Sequence, residues 1–231
     1  MVSKCSLISD KKCREKRMRQ RVSGSERRQQ IIEAAATLFS RRGFRGTTTR
    51  EVAKAVGISE ATIFKHFATK EELYAAIIEA KAQTQQVLGI IAPIAEARDD
   101  AALLRTLANE LIARTQSDPT LLRLLFFSAL EGHALADLFF RRRVQTLDVF
   151  LGRYIADRVA AGAFRPADPL QMAWNFIGMV TFHVLLHELF GQKPPAHLTR
   201  ELAVEEMVLT FLQGVRSSPG DDIRAAHGPA P

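Results

Sequence analysis

The sequence predicts an all-α fold: an N-terminal three-helix unit that contains a helix-turn-helix, followed by a larger helical unit, with about nine helices in all. Two observations predict it. Apolar residues recur at spacings of three and four along most of the chain, and capping residues, glycines and prolines divide these stretches. The later two-thirds shows neither strand alternation nor a glycine-rich phosphate loop. These signals favour helices packed against helices.

The composition is that of an ordinary globular chain. Its 231 residues are 47% hydrophobic and 25% charged, enough for one or two domains with a core. No window reaches 18 uninterrupted apolar residues, and no apolar stretch follows the basic N-terminus, so we expect neither a membrane span nor a signal peptide and predict a cytoplasmic protein. Cys5 and Cys13 are the only cysteines, and they favour neither a disulfide framework nor a zinc site.

The positive charge is concentrated at the N-terminus. Residues 1–28 hold ten lysines and arginines against three acidic residues, so the whole formal excess of +7 lies there. Residues 1–24 are polar and are predicted to form a disordered basic arm. Such an arm would neutralise DNA phosphates and make binding sensitive to salt. The alternative is a solvated leader that contacts nothing.

A first helix is predicted from near Ser25 to Arg42. Its apolar residues share one face, and Gly43 follows where a helix commonly ends in a left-handed conformation. The apolar stripe consists of Ile31, Ala35, Leu38 and Phe39.

Residues 48–67 are predicted to form the helix-turn-helix. Thr48 and Glu51 make a capping box that begins a two-turn helix, and Gly57 ends it. Ser59 caps a second short helix, which buries Ile63 and leaves its other face polar. A polar face on a helix this short is typical of one that enters a DNA major groove, about 12 Å wide. An ordinary corner between two helices is the alternative.

Several short motifs occur together in this region. They are the A-x-x-L-F run of 35–39, Gly43-Phe44, Thr47-Thr48, Val52-Ala53, Gly57-Ile58-Ser59, His66-Phe67 and Lys70-Glu71-Glu72-Leu73. In this order they make residues 27–78 resemble, without a gap, the N-terminal domain of the TetR/AcrR family of bacterial transcriptional regulators. The resemblance implies a regulator, not an enzyme, whose partners are a double-stranded DNA operator, a small-molecule effector and a second copy of the chain.

The resemblance also implies which residues meet DNA. Arg50 corresponds to a position that can reach a base edge, while Glu60 and Ala61 lie where operator preference varies. Glu60 would either accept a hydrogen bond from a cytosine amine or complement the helix dipole. The phosphate-contacting positions are Thr48, Thr62, His66 and Lys70. The expected surface is Thr48, Arg50, Ser59, Glu60, Ala61, Thr62, Phe64, Lys65, His66 and Lys70.

Phe64 and Lys65 depart from the family pattern. The family usually has aromatic residues at both positions, and the first is most often tyrosine. Phe64 lacks the phenolic hydroxyl that would bond a phosphate but keeps contact with a thymine methyl group, and Lys65 adds a point charge. We therefore still expect DNA binding, but these two residues do not indicate which operator sequence is bound.

Capping signals divide the rest of the chain into further helices. The capping box of Thr69 and Glu72 opens a helix that leads away from the DNA-binding unit and frays around Gly89 and Pro93. The later helices are predicted at about 100–116, 119–130, 134–161, 169–190 and 200–215. We predict a DNA-binding domain over 25–85, an effector-binding and dimerisation domain over 98–215, and a disordered tail over 216–231.

The resemblance implies that the last two long helices pair with their copies in a four-helix bundle. Apolar residues surround 169–190 too completely for one buried face, which favours a partner beyond the chain itself. The expected interface residues are Phe182, Leu186, Leu189, Val204, Met207, Val208 and Phe211.

The same helical domain is expected to hold the effector. Aromatic, methionine and histidine side chains are available to line an apolar cavity, with plain core packing as the alternative for each. The candidates are Phe126, Phe127, His133, Phe140, Trp174, Met179 and His183. His183 and His187 have a metal-compatible spacing, but without further ligands a hydrogen-bonded pair is the favoured interpretation.

The predicted function is a ligand-responsive transcriptional repressor that binds a palindromic operator as a homodimer and is released by a small hydrophobic or aromatic effector. A sequence-nonspecific basic nucleic-acid-binding protein and a transcriptional activator of the same fold are the alternatives. No nucleophile elbow, phosphate-binding loop or metal quartet is found, so we expect no enzyme, no metal and no cofactor.

Overall fold

The computed structural model describes residues 23–131 and 145–216, and within them it is helical with no β-strand. The all-α prediction is confirmed. The first helices are α1 Gly24–Arg42, α2 Thr49–Val56, α3 Glu60–His66, α4 Lys70–Ala82 and α5 Thr84–Glu96. The later ones are α6 Asp100–Ser117, α7 Thr120–Glu131, α8 Gln145–Ala160, α9 Pro169–Val184, which a π-helical turn Leu185–Leu189 extends, and α10 Arg200–Val215.

Local capping chemistry begins most of these helices. Ser23 caps α1 through a capping box with Glu26, so the helix starts slightly before the predicted Ser25. At α2, the Thr48 amide donates to Glu51 Oε2 over 2.8 Å and the Glu51 amide donates to Thr48 Oγ1 over 3.2 Å. Both boxes satisfy amides that the first helical turn leaves unpaired, which fixes where each helix begins.

The N-terminal core lies between α1, α2, α3 and α4. Phe39, Phe44 and Tyr74 form an aromatic cluster with ring centroids 5.4–5.8 Å apart. Leu124 of α7 is fully buried in the same core, and its carbonyl accepts a 2.9 Å hydrogen bond from the Tyr74 hydroxyl. The helix-turn-helix therefore rests on a base that includes part of α7.

The C-terminal core lies between α5, α6, α8, α9 and α10. Leu107, Ile155 and Phe176 are fully buried at its centre, and Phe176 packs against Phe211 with ring centroids 5.2 Å apart. Leu122 of α7 belongs to this core, two residues from Leu124 in the other. Helix α7 therefore contributes to both cores.

The helix predicted to lead away from the N-terminal unit is two helices. Gln83 adopts a left-handed conformation with φ 46° and separates α4 from α5. Arg114 of α6 holds the break through hydrogen bonds to the side-chain oxygens of Gln83 and Gln86, the latter 3.2 Å long. The break at Gln83 accounts for one helix more than predicted in this part of the chain.

Helix α5 does not fray where expected. It continues through Gly89 and Pro93 to Glu96, because Val87 and Ile91 are buried in the C-terminal core and Pro93 falls in the last turn. A proline there removes only one hydrogen bond near the helix end. The connection to α6 is therefore shorter than fraying at Gly89 would make it.

Three predicted segments lie wholly or partly outside the described residues: the basic arm, the first part of the helix over 134–161 and the C-terminal tail. The described part of that helix is α8, after which Gly162 adopts φ 73°. The predicted division into domains over 25–85 and 98–215 stays a prediction.

Within the described residues, the stretch Pro169–Leu189 is long and apolar enough to cross a membrane, with a mean hydropathy of 1.2. A helix in the core of a globular protein passes the same test. Met172, Phe176 and Val180 on this stretch are buried in the C-terminal core, while 28% of the 18-residue window is buried inside the chain. The stretch is thus a core helix on one side, and its other sides are open.

Candidate DNA-binding surface and effector cavity

The turn between α2 and α3 is held by short-range contacts. Gly57 adopts φ 75°, the left-handed conformation that ends α2. Ser59 Oγ accepts a hydrogen bond from the Thr62 amide over 3.3 Å and lies 2.8 Å from Thr62 Oγ1. Ile63 is buried beneath the helix. These contacts stabilise a seven-residue helix that would be marginal alone.

The outward face of α3 is open to solvent. Ala61 and Lys65 are exposed, and Thr62 and His66 are partly exposed. Phe64 leaves 47% of its surface exposed, which is unusual for a phenylalanine in a short helix packed on a core. A basic residue and an aromatic ring therefore project from the same short helix, next to polar side chains.

Glu60 joins the two helices of the helix-turn-helix, a role that the sequence did not indicate. Its Oε1 accepts a 2.5 Å hydrogen bond from Thr49 Oγ1, and its Oε2 lies 3.8 Å from Arg50 Nε. The Arg50 side chain is 86% exposed. Glu60 thus holds Arg50 beside the start of α3 while leaving the guanidinium group accessible.

Lys70 points inward from the start of α4, in contrast to the outward phosphate contact that the resemblance implied. Its Nζ donates a hydrogen bond to the Phe44 carbonyl and lies 4.1 Å from the Phe44 ring centroid. Burial lowers the pKa of Lys70, and the nearby Glu131 carboxylate opposes that shift. Contact between Lys70 Nζ and a phosphate would require these interactions to break, so its phosphate role stays a prediction.

Glu131, at the end of α7, reaches the loop that leads into α2. Its Oε2 accepts hydrogen bonds from the amides of Phe44 and Arg45, over 2.8 Å and 3.1 Å. A Cβ atom on Gly43 would lie only 1.9 Å from Glu131 Oε1, so a glycine is needed for this approach as well as for its φ of 73°. Helix α7 is therefore tied to the N-terminal unit by hydrogen bonds as well as by apolar contacts.

A cavity of about 500 Å³ lies against α7. Leu121, Leu122 and Leu125 of α7 form part of its wall, and helices α6, α8 and α9 form most of the remainder. Ala82 and Thr84, on either side of the break at Gln83, also line it. Its volume is within the range of small-molecule sites, and its wall is predominantly apolar.

Among the described residues that line this cavity, Asp148 of α8 is the only charged one. It is 4% exposed, and its Oδ2 accepts a 2.9 Å hydrogen bond from the Trp174 indole N–H. Burial raises the pKa of the Asp148 carboxyl, and the Trp174 hydrogen bond acts in the opposite direction. Nothing in the sequence distinguishes Asp148, because an acidic residue in a helix is ordinarily solvated.

The structure separates the predicted effector residues. Trp174 lines the cavity, whereas Phe126, Phe127, Met179 and His183 do not. Phe127 lies against Gly43 on the N-terminal side, and Phe126 and Met179 pack against the C-terminal core. The other two candidates, His133 and Phe140, lie outside the described residues. Leucines and threonines, which carry no distinctive sequence signal, supply most of the wall.

The predicted dimer residues divide into buried and exposed sets. Val204, Val208 and Phe211 were expected at a partner interface, but the chain's own C-terminal core already buries them. Met207 and Leu189 pack partly against the same core. Leu186 is partly exposed, and Phe182 is 57% exposed. Exposed apolar residues that the sequence analysis did not select on α9 and α10 are Leu170, Leu202 and Leu209.

His183 and His187 pack edge to face with ring centroids 4.5 Å apart. His187 Nδ1 lies 2.6 Å from the Gln192 carbonyl oxygen, and burial lowers the pKa of His183, as does the charge of His187. No group of three or more histidine, cysteine or acidic residues able to hold a metal occurs in residues 23–131 and 145–216.

Comparison with known proteins agrees with these features. Residues 31–77 match the model described as bacterial regulatory proteins of the tetR family, and residues 102–214 match the C-terminal domain of AefR-like transcriptional repressors. The repressor KstR2 of Mycobacterium tuberculosis is 44% identical over 55 residues, which cover 23% of this chain and 28% of the relative. The chain thus spans just over a quarter of the length of that relative. KstR2 of Mycolicibacterium smegmatis is 23% identical over 206 residues, or 85% of this chain and 94% of the relative.

Solved structures share the fold over most of the chain. AibR in complex with isovaleryl coenzyme A and operator DNA is 26% identical with a TM-score of 0.61, over 80% of this chain and 97% of AibR. The flavonoid-responsive regulator FrrA is 25% identical with a TM-score of 0.61, over 84% of this chain and 98% of FrrA. From the helix-turn-helix, the helical fold behind it and these matches over both parts, the chain belongs to the TetR family of bacterial transcriptional regulators.

Proposed function

We propose that the protein is a ligand-responsive cytoplasmic repressor that binds a palindromic operator as a homodimer and releases it when a small, mainly apolar effector occupies the cavity. The observation that carries the proposal is the outward face of α3, where exposed Phe64 and Lys65 lie beside an accessible Arg50. An arginine that donates two hydrogen bonds to one guanine discriminates against other bases by about 1–3 kcal/mol.

Exposed apolar residues on α9 and α10 support the homodimer. Phe182, Leu202 and Leu209 leave large apolar surfaces open although their helices pack in the core on another side. A second copy that covers these residues would bury that area. Two copies would also present two α3 helices to half-sites about one DNA turn apart, 34–36 Å.

Contacts of α7 and the break at Gln83 support coupling between effector and operator. Leu121 and Leu125 line the cavity and also pack against the N-terminal core, and Glu131 of the same helix holds the loop before α2. Ala82 ends α4 at the cavity wall. An effector that favours one position of α7 and α4 over another would change the position of α3, and a coupling of about 1–3 kcal/mol changes operator affinity about 5- to 150-fold.

The test is operator binding by the full chain. Genomic fragments would be selected on immobilised protein, and the recovered site mapped by nuclease footprinting. We expect a palindromic footprint that Arg50→Ala combined with Lys65→Ala abolishes. Arg153→Ala is the control: it removes a positive charge from an exposed position on α8 and should leave the footprint intact. A footprint that persists in the double variant would contradict the assigned surface.

Competition separates this proposal from sequence-nonspecific binding through the basic arm. Excess unrelated DNA at moderate salt should leave the footprint in place if specific binding exceeds non-specific binding by about 10³-fold or more. If unrelated DNA removes the footprint as readily as operator DNA does, the nonspecific alternative is favoured. Whether the bound protein lowers or raises transcription from that site distinguishes a repressor from an activator.

A further inference from the structure

Asp148 is an unusual feature of an otherwise apolar cavity. Its carboxylate is 4% exposed and lies among leucine, isoleucine, valine and threonine side chains. Moving an ionised carboxylate from water into such surroundings is costly unless the charge is paired or coordinated. An acid kept there without a cation is therefore a strong candidate for a ligand contact.

The described part of the chain provides only part of what this carboxylate requires. Trp174 Nε1 donates to Oδ2, and no ion pair in the described part of the chain involves Asp148. Among the described residues, those that line the cavity include Thr84, Thr115 and Thr181, whose hydroxyls are polar, but no lysine or arginine. Among residues 23–131 and 145–216 no positive charge pairs with Asp148, and a cationic ligand would supply one.

We propose that the cavity binds a mainly apolar amine, whose ammonium group pairs with the Asp148 carboxylate while its hydrocarbon part lies against the leucines of α7. This proposal rests on the proposed function and names the chemical class of the effector.

The same arrangement disfavours acidic effectors. A carboxylate or phosphate near Asp148 would add like-charge repulsion to the cost of burying both groups. A neutral alcohol can donate one hydrogen bond to Asp148 but leaves its charge unpaired. The expected order of affinity for ligands with one hydrocarbon tail is therefore amine, alcohol, acid.

Trp174 provides a direct measurement, because it is the only tryptophan in the chain and its indole N–H bonds Asp148. The full-length protein would be titrated at neutral pH with octylamine, octanol and octanoate while tryptophan fluorescence is recorded. Charge-assisted hydrogen bonds are about twice as strong as neutral ones. We expect octylamine to bind at least about tenfold more tightly than octanoate.

Two substitutions on α8 test the role of Asp148. Asp148→Asn keeps an acceptor for Trp174 but removes the charge, and should weaken octylamine binding about tenfold or more while that of octanol changes little. Asp157→Asn removes an exposed carboxylate from the same helix and should leave all three affinities unchanged. Thermal unfolding of both variants shows that each is folded.

The outcomes separate the two proposals. Octanoate binding as tightly as octylamine, no binding of octylamine, or octylamine binding that Asp148→Asn leaves unchanged would each overturn the amine proposal. The operator footprint is measured without any ligand, so the proposed function survives those results. Release of operator DNA by octylamine from the wild type, but not from Asp148→Asn, would support both.

Discussion

Glu60 shows how much of a site depends on a single side chain whose role cannot be deduced from spacing. From the sequence, Glu60 was expected either to contact a base or to complement the dipole of α3. In the structure it also accepts a hydrogen bond from Thr49 on the preceding helix. That bond depends on how the turn at Gly57 orients α3 relative to α2. Pattern analysis fixes which residues share one helix face, but not the rotation of one helix against the next.

Two neighbouring threonines should respond oppositely to the same substitution. Thr47 is fully buried, and its hydroxyl has no partner among the described residues, so Thr47→Val should raise the free energy of unfolding by about 1 kcal/mol. Thr48 caps α2, so Thr48→Val should lower it by about 1 kcal/mol. Urea denaturation measures both changes. A loss of stability in Thr47→Val would mean that its hydroxyl is bonded.

His183 predicts a pH dependence of stability. Burial and the charge of His187 lower the pKa of His183 in the folded chain below its ordinary value of about 6.5. The unfolded chain therefore takes up a proton first as the pH falls, so stability is full above about pH 6.5 and decreases below it. Denaturation at several pH values should show this slope, and His183→Asn should reduce it. An equal slope in the variant would contradict the assignment.

At the scale of elements, capped helix boundaries were predictable and the break between α4 and α5 was not. The ends of α1 and α2 depend on Ser23, Thr48 and two glycines, each acting within one turn of the helix. The break at Gln83 depends on Arg114, which is 31 residues away in sequence. Local chemistry can be deduced from a sequence, whereas a break held by a distant side chain cannot.

Because Glu131 ties α7 to the N-terminal unit, its substitution should affect both parts of the protein. Glu131→Ala leaves the amides of Phe44 and Arg45 without their acceptor, which should lower the free energy of unfolding by about 1–3 kcal/mol. It should also reduce the effect of a cavity ligand on operator affinity, because one tie between α7 and the N-terminal unit is gone. Thermal unfolding and operator titration with and without ligand measure the two effects.

Glu96→Ala is the matched control for this substitution. It removes an exposed carboxylate from the end of α5, another helix of the C-terminal part. It should change neither stability nor the response to ligand. If Glu131→Ala resembles this control in both measurements, α7 does not couple the two parts through its last residue.

At the scale of the whole molecule, the sequence predicted which helices would form an interface but could not predict which faces of those helices are exposed. Val204, Val208 and Phe211 are apolar at helical spacing, as an interface or a core requires, and the structure assigns them to the core. The cavity could not be predicted for the same reason, since its wall combines residues from several helices that are far apart in sequence. Both features arise only when the helices are packed together.

The exposed apolar residues of α9 and α10 predict that a charge placed among them disrupts the homodimer. Phe182→Glu places a charge where we expect the partner subunit, so the homodimer should dissociate to monomers by sedimentation analysis and lose tight operator binding. Ile90→Glu, a charge on another exposed apolar residue, should remain dimeric. A monomeric wild type, or a dimeric Phe182→Glu variant, would contradict the assigned face.

The left-handed residue between α4 and α5 allows a small rotation to have a large effect. Helix α4 has 13 residues and is therefore about 20 Å long, so turning it by about 10° at Gln83 displaces its far end by about 3 Å. That distance is close to the spacing of successive base pairs, about 3.4 Å. A change in two backbone dihedral angles beside the cavity would therefore move the end of α4 that adjoins α3 by nearly the rise of one base pair.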